Sequence, residues 1–344
     1  MKIIIVTSVV PFVEGGAESL TQWLADELEQ RGHEVDLFTI PVHGHTELLP
    51  GQMVGLRSMD FTGFGDRLIA VRTPSYLVRH HHKILWFIHH HRPAYDLWEQ
   101  FPDVPRDADG WEFRRMMFAS DEVALGEAKQ IFTNSARVRD RLRHYNGVDA
   151  EVLYPPLPHD AGAQPGPLGD YVFSISRIEP HKQQLLAVEA MALTETPVRL
   201  VLAGRGATGE YAERIVRRVH ELGLQEKVTF HNARVSDETK WDLMNNALAS
   251  VYLPHDEDSY GYVGLESAAA QRPLITATDS GGVLELVRDG VNGFVTEPKP
   301  EALARAFDTL YRDRELAARM GAAHAVRLRE MNIDWDHVVE RLLS

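Results

Sequence analysis

A continuous apolar run, KIIIVTS at residues 2–8, is followed by a glycine loop, an amphipathic helix and a second apolar run, EVDLFTI. An apolar run without alternation marks a strand buried on both faces, as in parallel sheets covered by helices on each side. GGAESLTQWLADELEQRGH puts Leu20, Trp23, Leu24 and Leu28 on one helical face and reaches Gly32, a residue suited to a C-terminal cap. The segment is therefore a βαβ unit, and its right-handed crossover requires a parallel sheet. KILWFI, QIFTNS and EVLYPP read as further strands, with the helix ARVRDRLRHY between the last two. Residues 41–75 are broken by Gly and Pro and carry no assignable pattern.

The Pro/Gly-rich stretch PPLPHDAGAQPGPLGD, Pro155 to Asp170, reads as a linker. After it the alternation restarts: YVFSISRI, VRLVLAG, VTFHNA, ALASVYLP and RPLITATD are strand-like, with helical segments between them. At 344 residues the chain is too long for one ordinary core. The fold class is thus α/β, with two Rossmann-like domains facing across a cleft. The closing IDWDHVVERLLS is amphipathic, with Trp335, Val338, Val339 and Leu342 on one face.

Composition excludes several classes. With no cysteine, disulfides and thiolate zinc sites are impossible, which fits a reducing cytoplasm. No leader opens the chain, and the longest apolar candidate for a membrane span, ILWFI, is bracketed by histidines. A net charge of −14 argues against nucleic-acid binding. The 17 histidines shift that balance upward below about pH 6.5.

In open α/β sheets ligands bind beyond the carboxyl ends of the strands, so the residues following each strand are the site candidates. Gly15 and Gly16 precede a helix, where backbone N–H groups approach an anion closely; a tight turn is the plainer account. The G-x-G-x-x-G fingerprint is missing, which speaks against a nicotinamide enzyme. His89, His90, His91 and Arg92 follow ILWFI. Alternation along a strand lets at most two of the three histidines face one site. No carboxylate nearby completes a metal set, so His89 is read as a hydrogen-bond partner and no metal is expected. Arg177 and Lys182, after YVFSIS, are either a solvated helix start or two cations for a diphosphate. Gly204 makes another turn at a strand end. In DEDSYGYVGLES, Gly261 permits a tight entry and the N–H groups of Tyr262 and Val263 open a helix toward an anion. Glu266, inside an apolar run, needs a partner: a ribose with paired hydroxyls, or a basic side chain or cap.

Together these stretches resemble the retaining glycosyltransferases of family 4. The likeness covers nearly the whole chain: GGAES, FTNSARVRDRL, LYPPL, SRIEPHK, LAGRG, DSYGYVGLESAAAQRPLITATDSGG and LVRDGVNGFV. RTPSYLVRHHHKILWFIHHHRPAYDLW is similar to a subgroup feature of that family. The carboxylate-x7-Glu signature is its specific part. The resemblance implies the GT-B fold: an acceptor-side domain of residues 1–157, joined by a C-terminal helix (330–344) that crosses back to it, and a nucleotide-sugar domain of residues 158–329. It implies that Arg177 and Lys182 hold the donor diphosphate with N–H groups near Gly15, Gly16, Gly204, Tyr262 and Val263. Glu266 then binds the ribose, Asp258 orients the donor sugar, and His89 faces that sugar. The family's first signature carboxylate is usually Glu. Asp258 is one methylene shorter, and Glu257 beside it is a second candidate.

The implied reaction is metal-independent transfer, with retention of configuration, from a UDP- or GDP-linked sugar. The acceptor would be a carbohydrate, a lipid-linked or a small-molecule hydroxyl, in glycan, glycolipid or glycoconjugate synthesis. No cofactor and no partner protein are implied. Two alternatives stand: a non-hydrolysing sugar-nucleotide epimerase, against which the Glu266 signature speaks, and a non-catalytic nucleotide-sugar-binding protein. Arg137, Arg139, Arg141 and Arg143 on ARVRDRLRHY, with WEFRRMMFA, are either an exposed basic face or a peripheral contact with the inner face of a membrane. The expected location is cytoplasmic.

Overall fold

The computed structural model describes residues 1–12, 16–43, 47–99, 104, 106–159, 161–206 and 209–344. The chain divides into two compact units, Met1–Pro155 with Trp335–Ser344, and Pro156–Asp334.

The first unit runs β1 (Lys2–Val9), α1 (Gly16–Gln30), β2 (Glu34–Pro41), α2 (Leu49–Ser58), β3 (Arg67–Ala70), β4 (Lys83–Phe87), α3 (Ala108–Glu127), β5 (Gln130–Thr133), α4 (Ala136–Asn146) and β6 (Glu151–Val152). Its strands form one parallel sheet in the order β2-β1-β3-β4-β5-β6. The apolar run at the start is buried on both faces. Ile3 and Ile5 pack with Leu20, Leu24 and Leu28 of α1, whereas Ile4 and Val6 pack with Met53 of α2 and Met117 of α3. α1 ends at Gln30, and Gly32, at φ +83°, donates its amide to the Glu29 carbonyl to close the turn.

The second unit runs β7 (Tyr171–Ile175), α5 (Gln184–Met191), β8 (Arg199–Ala203), α6 (Gly209–Glu221), β9 (Val228–His231), α7 (Asp237–Asn245), β10 (Ala249–Val251), α8 (Gly261–Ala269), β11 (Leu274–Ala277), α9 (Val283–Leu286), β12 (Gly293–Thr296), α10 (Pro300–Arg312) and α11 (Arg314–Glu330). Its six parallel strands have the order β12-β11-β10-β7-β8-β9. β7 and β10 therefore flank the point where the winding reverses, with Phe173 beside Ser250. Leu200 and Leu202 enter the core on one face of this sheet, and Val201 and Ala203 that on the other.

Several elements escape the sequence pattern, among them α3, which lies in the interval between KILWFI and QIFTNS. α2 carries Pro50, Gly51 and Gly55, β3 has four residues, and β12 begins on a glycine. The last helix, α12 (Trp335–Leu343), belongs to the first unit. Trp335, Val338, Val339 and Leu342 share one core with Ile3, Ile5 and α1, and Arg67 donates to the Leu342 carbonyl at 2.5 Å. Arg31 pairs with Asp336 and Arg341 with Glu151.

Trp335 is 1% exposed, so Trp335→Ala is expected to destabilise the first unit by about 3–5 kcal/mol, although it lies at the far end of the chain. Five of the six tryptophans lie in that unit, so urea denaturation followed by tryptophan fluorescence reads it directly. An unchanged transition would show that α12 contributes nothing to that core.

Candidate functional site

The carboxyl ends of β7 and β10 bring most of the sequence-derived site residues together within the second unit. Arg177, exposed, lies in the loop after β7; Lys182, 7% exposed, closes a short 3-10 turn, Pro180–Lys182, in the same loop. The loop after β8 packs against it through Gly204, at φ +146°. A Cβ there would stand 1.9 Å from the Ser176 carbonyl oxygen, so only glycine fits. The Ile178 amide donates to the Arg205 carbonyl at 3.3 Å, bringing the backbones of the two arginine-bearing loops side by side.

The loop after β10 is tied to that after β7 by the His255 amide donating to the His181 carbonyl at 2.7 Å. On its other side the Asp256 amide donates to the Asp279 carbonyl at 2.7 Å, and the Gly282 amide to the Glu257 carbonyl at 2.8 Å. Gly281, at φ +68°, has no room for a side chain, because a Cβ would lie 2.4 Å from the Glu257 carbonyl oxygen. Asp258 lies half-buried in this loop, but Glu257 is the carboxylate that pairs with Lys182. Tyr252, at the end of β10, completes the group: Lys182 Nζ donates to its hydroxyl at 3.0 Å.

α8 then opens at Gly261 with no side-chain cap at Tyr260, so Tyr262 and Val263 occupy the first turn of a helix whose N-terminal pole is positive. Glu266, one turn on, is 8% exposed and pairs with Lys240 of α7 at 2.8 Å. Burial pushes the Glu266 carboxyl above the ordinary range, and Lys240 only partly offsets it. Burial alone would lower the Lys240 ammonium, but Glu266 and Asp237 hold it above its usual value.

Two of these residues were absent from the sequence reading. Lys240 sits in an ordinary polar helix, and Tyr252 inside an apolar strand end. Neither carries a local signal, and only the sheet order brings them to Glu266 and Lys182.

The remaining candidates lie in the first unit. Gly15 falls outside the described residues, and Gly16 opens α1. The three histidines after β4 have three different surroundings. His89 Nδ1 is 2.7 Å from the His90 carbonyl oxygen, which only accepts, so Nδ1 carries the proton and Nε2 presents a lone pair. His90 Nε2 meets Asn146 Oδ1 at 2.8 Å, and the His91 ring stands edge-on to Phe113. Among the described residues no three His, Asp or Glu side chains are grouped to hold a metal ion. A cavity of about 400 Å³ opens where β1, β2 and α1 meet, lined among others by Thr7, Val9, Phe12, Thr21 and Leu37.

On α4, Arg141 is buried against Asp96 at 3.0 Å, Arg139 pairs with Asp140 and Arg143 with Asp149. Carboxylates thus accompany Arg139, Arg141 and Arg143 of this helix. No described helix is long and apolar enough to cross a membrane.

Two doubly wound parallel sheets, with cations, a helix start and a buried carboxylate at the switch point of the second, define an α/β protein of the GT-B architecture. Residues 168–326 match the family described as glycosyl transferases group 1. It is 30% identical over 285 residues to human alpha-1,3/1,6-mannosyltransferase ALG2, covering 74% of this chain and 65%, just under two thirds, of the human protein. It is 27% identical over 387 residues to the D-inositol 3-phosphate glycosyltransferase of Nocardia farcinica, covering 96% and 84% of the two chains. The fold aligns with the crystal structure of Anabaena Alr3699/HepE in complex with UDP at a TM-score of 0.73, over 99% of each chain and at 19% identity.

Burial pushes the imidazoles of His89, His90, His91 and His324 down to about 4. Between about pH 4 and 6.5 the unfolded chain binds protons at these four sites that the folded chain refuses, so stability falls as pH drops. Asp121 works in the opposite sense: burial raises its carboxyl from 3.8 to about 6, and its contribution is lost as pH rises through 6. Glu266, also raised by burial, acts in the same sense as Asp121, whereas His33, His80, His82 and His181, all lowered by burial, act with the four histidines. At pH 5 each of those four is expected to cost on the order of 1–2 kcal/mol, and the melting temperature to fall steadily from pH 7 to pH 5. A level or rising melting temperature over that range contradicts this assignment.

Proposed function

We propose that the chain transfers a glycosyl group from a nucleoside-diphosphate sugar to an acceptor hydroxyl with retention of configuration. The observation that carries the reading is the contact, at the β7/β10 switch point, between the loop of Arg177 and Lys182 and the loop that leads into α8. Ligands of doubly wound sheets bind at such points, and the match of residues 168–326 to glycosyl transferases group 1 supports a sugar nucleotide as the ligand.

In this reading Arg177, Lys182 and the N–H groups at the start of α8 meet the diphosphate. Glu266, now on Lys240, accepts hydrogen bonds from the ribose hydroxyls, which offset the cost of its burial. As the glycosidic bond breaks, negative charge grows on the departing diphosphate, and the cations stabilise it there. The diphosphate oxygen takes the acceptor proton on the same face, so no dedicated base is needed. His89, neutral at physiological pH with Nε2 as acceptor, suits a sugar hydroxyl better than an anion. The donor is the one small molecule the scheme requires, with the side-chain cations in the role a metal would otherwise fill. The acceptor docks on the first unit, where the cavity at β1, β2 and α1 sets the polar Glu18 and Gln22 beside the apolar Val9, Phe12 and Leu37. The Anabaena structure contains UDP, which favours uridine over guanosine as the base.

A non-catalytic nucleotide-sugar binder is the second reading, favoured by Asp258 standing where the family carries Glu. Binding without transfer across a broad acceptor panel selects it.

Replacing Arg177 or Lys182 by Ala is expected to lower the transfer rate by roughly 10²–10³. Glu266→Ala is expected to weaken donor binding. A thermal-shift comparison of UDP, GDP and ADP identifies the base, since a ligand of the folded state raises apparent stability. Near-normal turnover in all three variants overturns the site.

A further inference from the structure

The ammonium of Lys182 already has an anion. Its Nζ pairs with Glu257 Oε2 and donates to the Tyr252 hydroxyl at 3.0 Å, and that hydroxyl lies 3.3 Å from the same carboxylate oxygen. The Tyr252 ring sits under the ammonium, 5.3 Å from centroid to Nζ. Tyr252 is held in place: it is 5% exposed, and a Cβ on Gly261 would stand 2.7 Å from its ring, so the glycine there makes the room it occupies. Burial and the charge of Glu257 keep the phenol well above its ordinary range, so it remains a donor. The Glu257 backbone is fixed as well, bridged to Gly281 and accepting from the Gly282 amide. Its side chain, 25% exposed against 7% for Lys182, is the part with room to turn toward solvent.

We propose that Glu257 is the resident counter-ion of Lys182, held by Tyr252, and that a diphosphate enters this site by displacing the carboxylate from the ammonium. The proposal rests on the reading above, in which Lys182 grips the donor diphosphate. Entry exchanges one anion for another, so a ligand gains only by the charge it brings beyond a single carboxylate. A diphosphate qualifies; a nucleoside or a monoanion does not. Glu257 thereby sets a threshold of negative charge, a form of specificity made by a competing contact rather than a new attraction. Tyr252 acts as a positioning residue, since its hydroxyl accepts from Lys182 whether or not Glu257 is in place.

The test uses the full chain, inorganic pyrophosphate as probe, and acylation of Lys182 by an amine-reactive ester, read by mass spectrometry of its peptide. Glu257→Gln keeps the side-chain shape and removes the charge. Half-protection of Lys182 is expected at a pyrophosphate concentration about tenfold lower than in the unaltered protein, with a smaller preference for pyrophosphate over orthophosphate. In Tyr252→Phe, Lys182 is expected to acylate faster and to be protected less well. Protection in Glu257→Gln that is unchanged or weaker overturns the proposal. A lower kcat accompanied by unchanged protection also overturns it and makes Glu257 the sugar-facing carboxylate. Melting temperatures of both variants verify that they are folded. If no sugar is transferred yet the protection shift is present, the glycosyltransferase reading fails and the exchange stands; transfer without the shift is the reverse.

Discussion

The His255 amide reaches the His181 carbonyl at 2.7 Å, and this bond fastens the loop after β10 to the loop after β7. It forms because the two strands are neighbours in the sheet although they are far apart in the chain, with Tyr171 opening β7 and Ala249 opening β10 some three helices later. The order of the strands sets which loops meet, and the glycines set how closely. Gly204 lets the loop after β8 lie on Ser176, Gly281 lets the loop after β11 lie on Glu257, and Gly261 leaves space for the Tyr252 ring. Each contact would be lost to a single Cβ. The placing of the loops that carry Arg177, Lys182 and the start of α8 depends on that close packing.

The first unit meets a different requirement. Asp121, wholly buried on α3, accepts the hydroxyls of Tyr76 and Tyr95, each at 2.6 Å. Tyr76 belongs to the segment after β3, which also carries Arg72, and Tyr95 to the segment after β4, which carries the three histidines. One carboxylate therefore holds two strand-end segments in register. Tyr95 passes this rigidity on, with its ring 4.3 Å from that of His90 and 4.2 Å from that of Phe118. The imidazoles there are neutral at physiological pH, while Arg72 and the Arg92–Asp96 pair bring charge to the same strand ends. The second unit concentrates charge at its strand ends, which suits phosphates.

The architecture was legible because its strands are continuous apolar runs and its helices amphipathic, and these are local properties of sequence. KIIIVTS could be read on its own, and so could the apolar face of α12. α2 could not, since proline and glycines mask its helical period, nor could β3, which is too short to show one. The glycine and charged motifs pointed to the site as a location, because they sit immediately after strands. Partners were another matter. Glu266 needs a cation, but its neighbours in sequence do not reveal that Lys240 is the one; α7 and α8 meet only after two strands have paired. The signature names Asp258, and nothing local to it reveals that its neighbour Glu257 pairs with Lys182 from the loop after β7.

The central claim is that a nucleoside diphosphate binds in the second unit at the reversal of strand order. Hydrogen exchange with and without UDP, resolved by peptide, measures this directly. Slowed exchange confined to residues 176–183, 204–206 and 255–266 is the predicted result. Exchange unaltered in those three segments, or slowed only elsewhere in the chain, would contradict it.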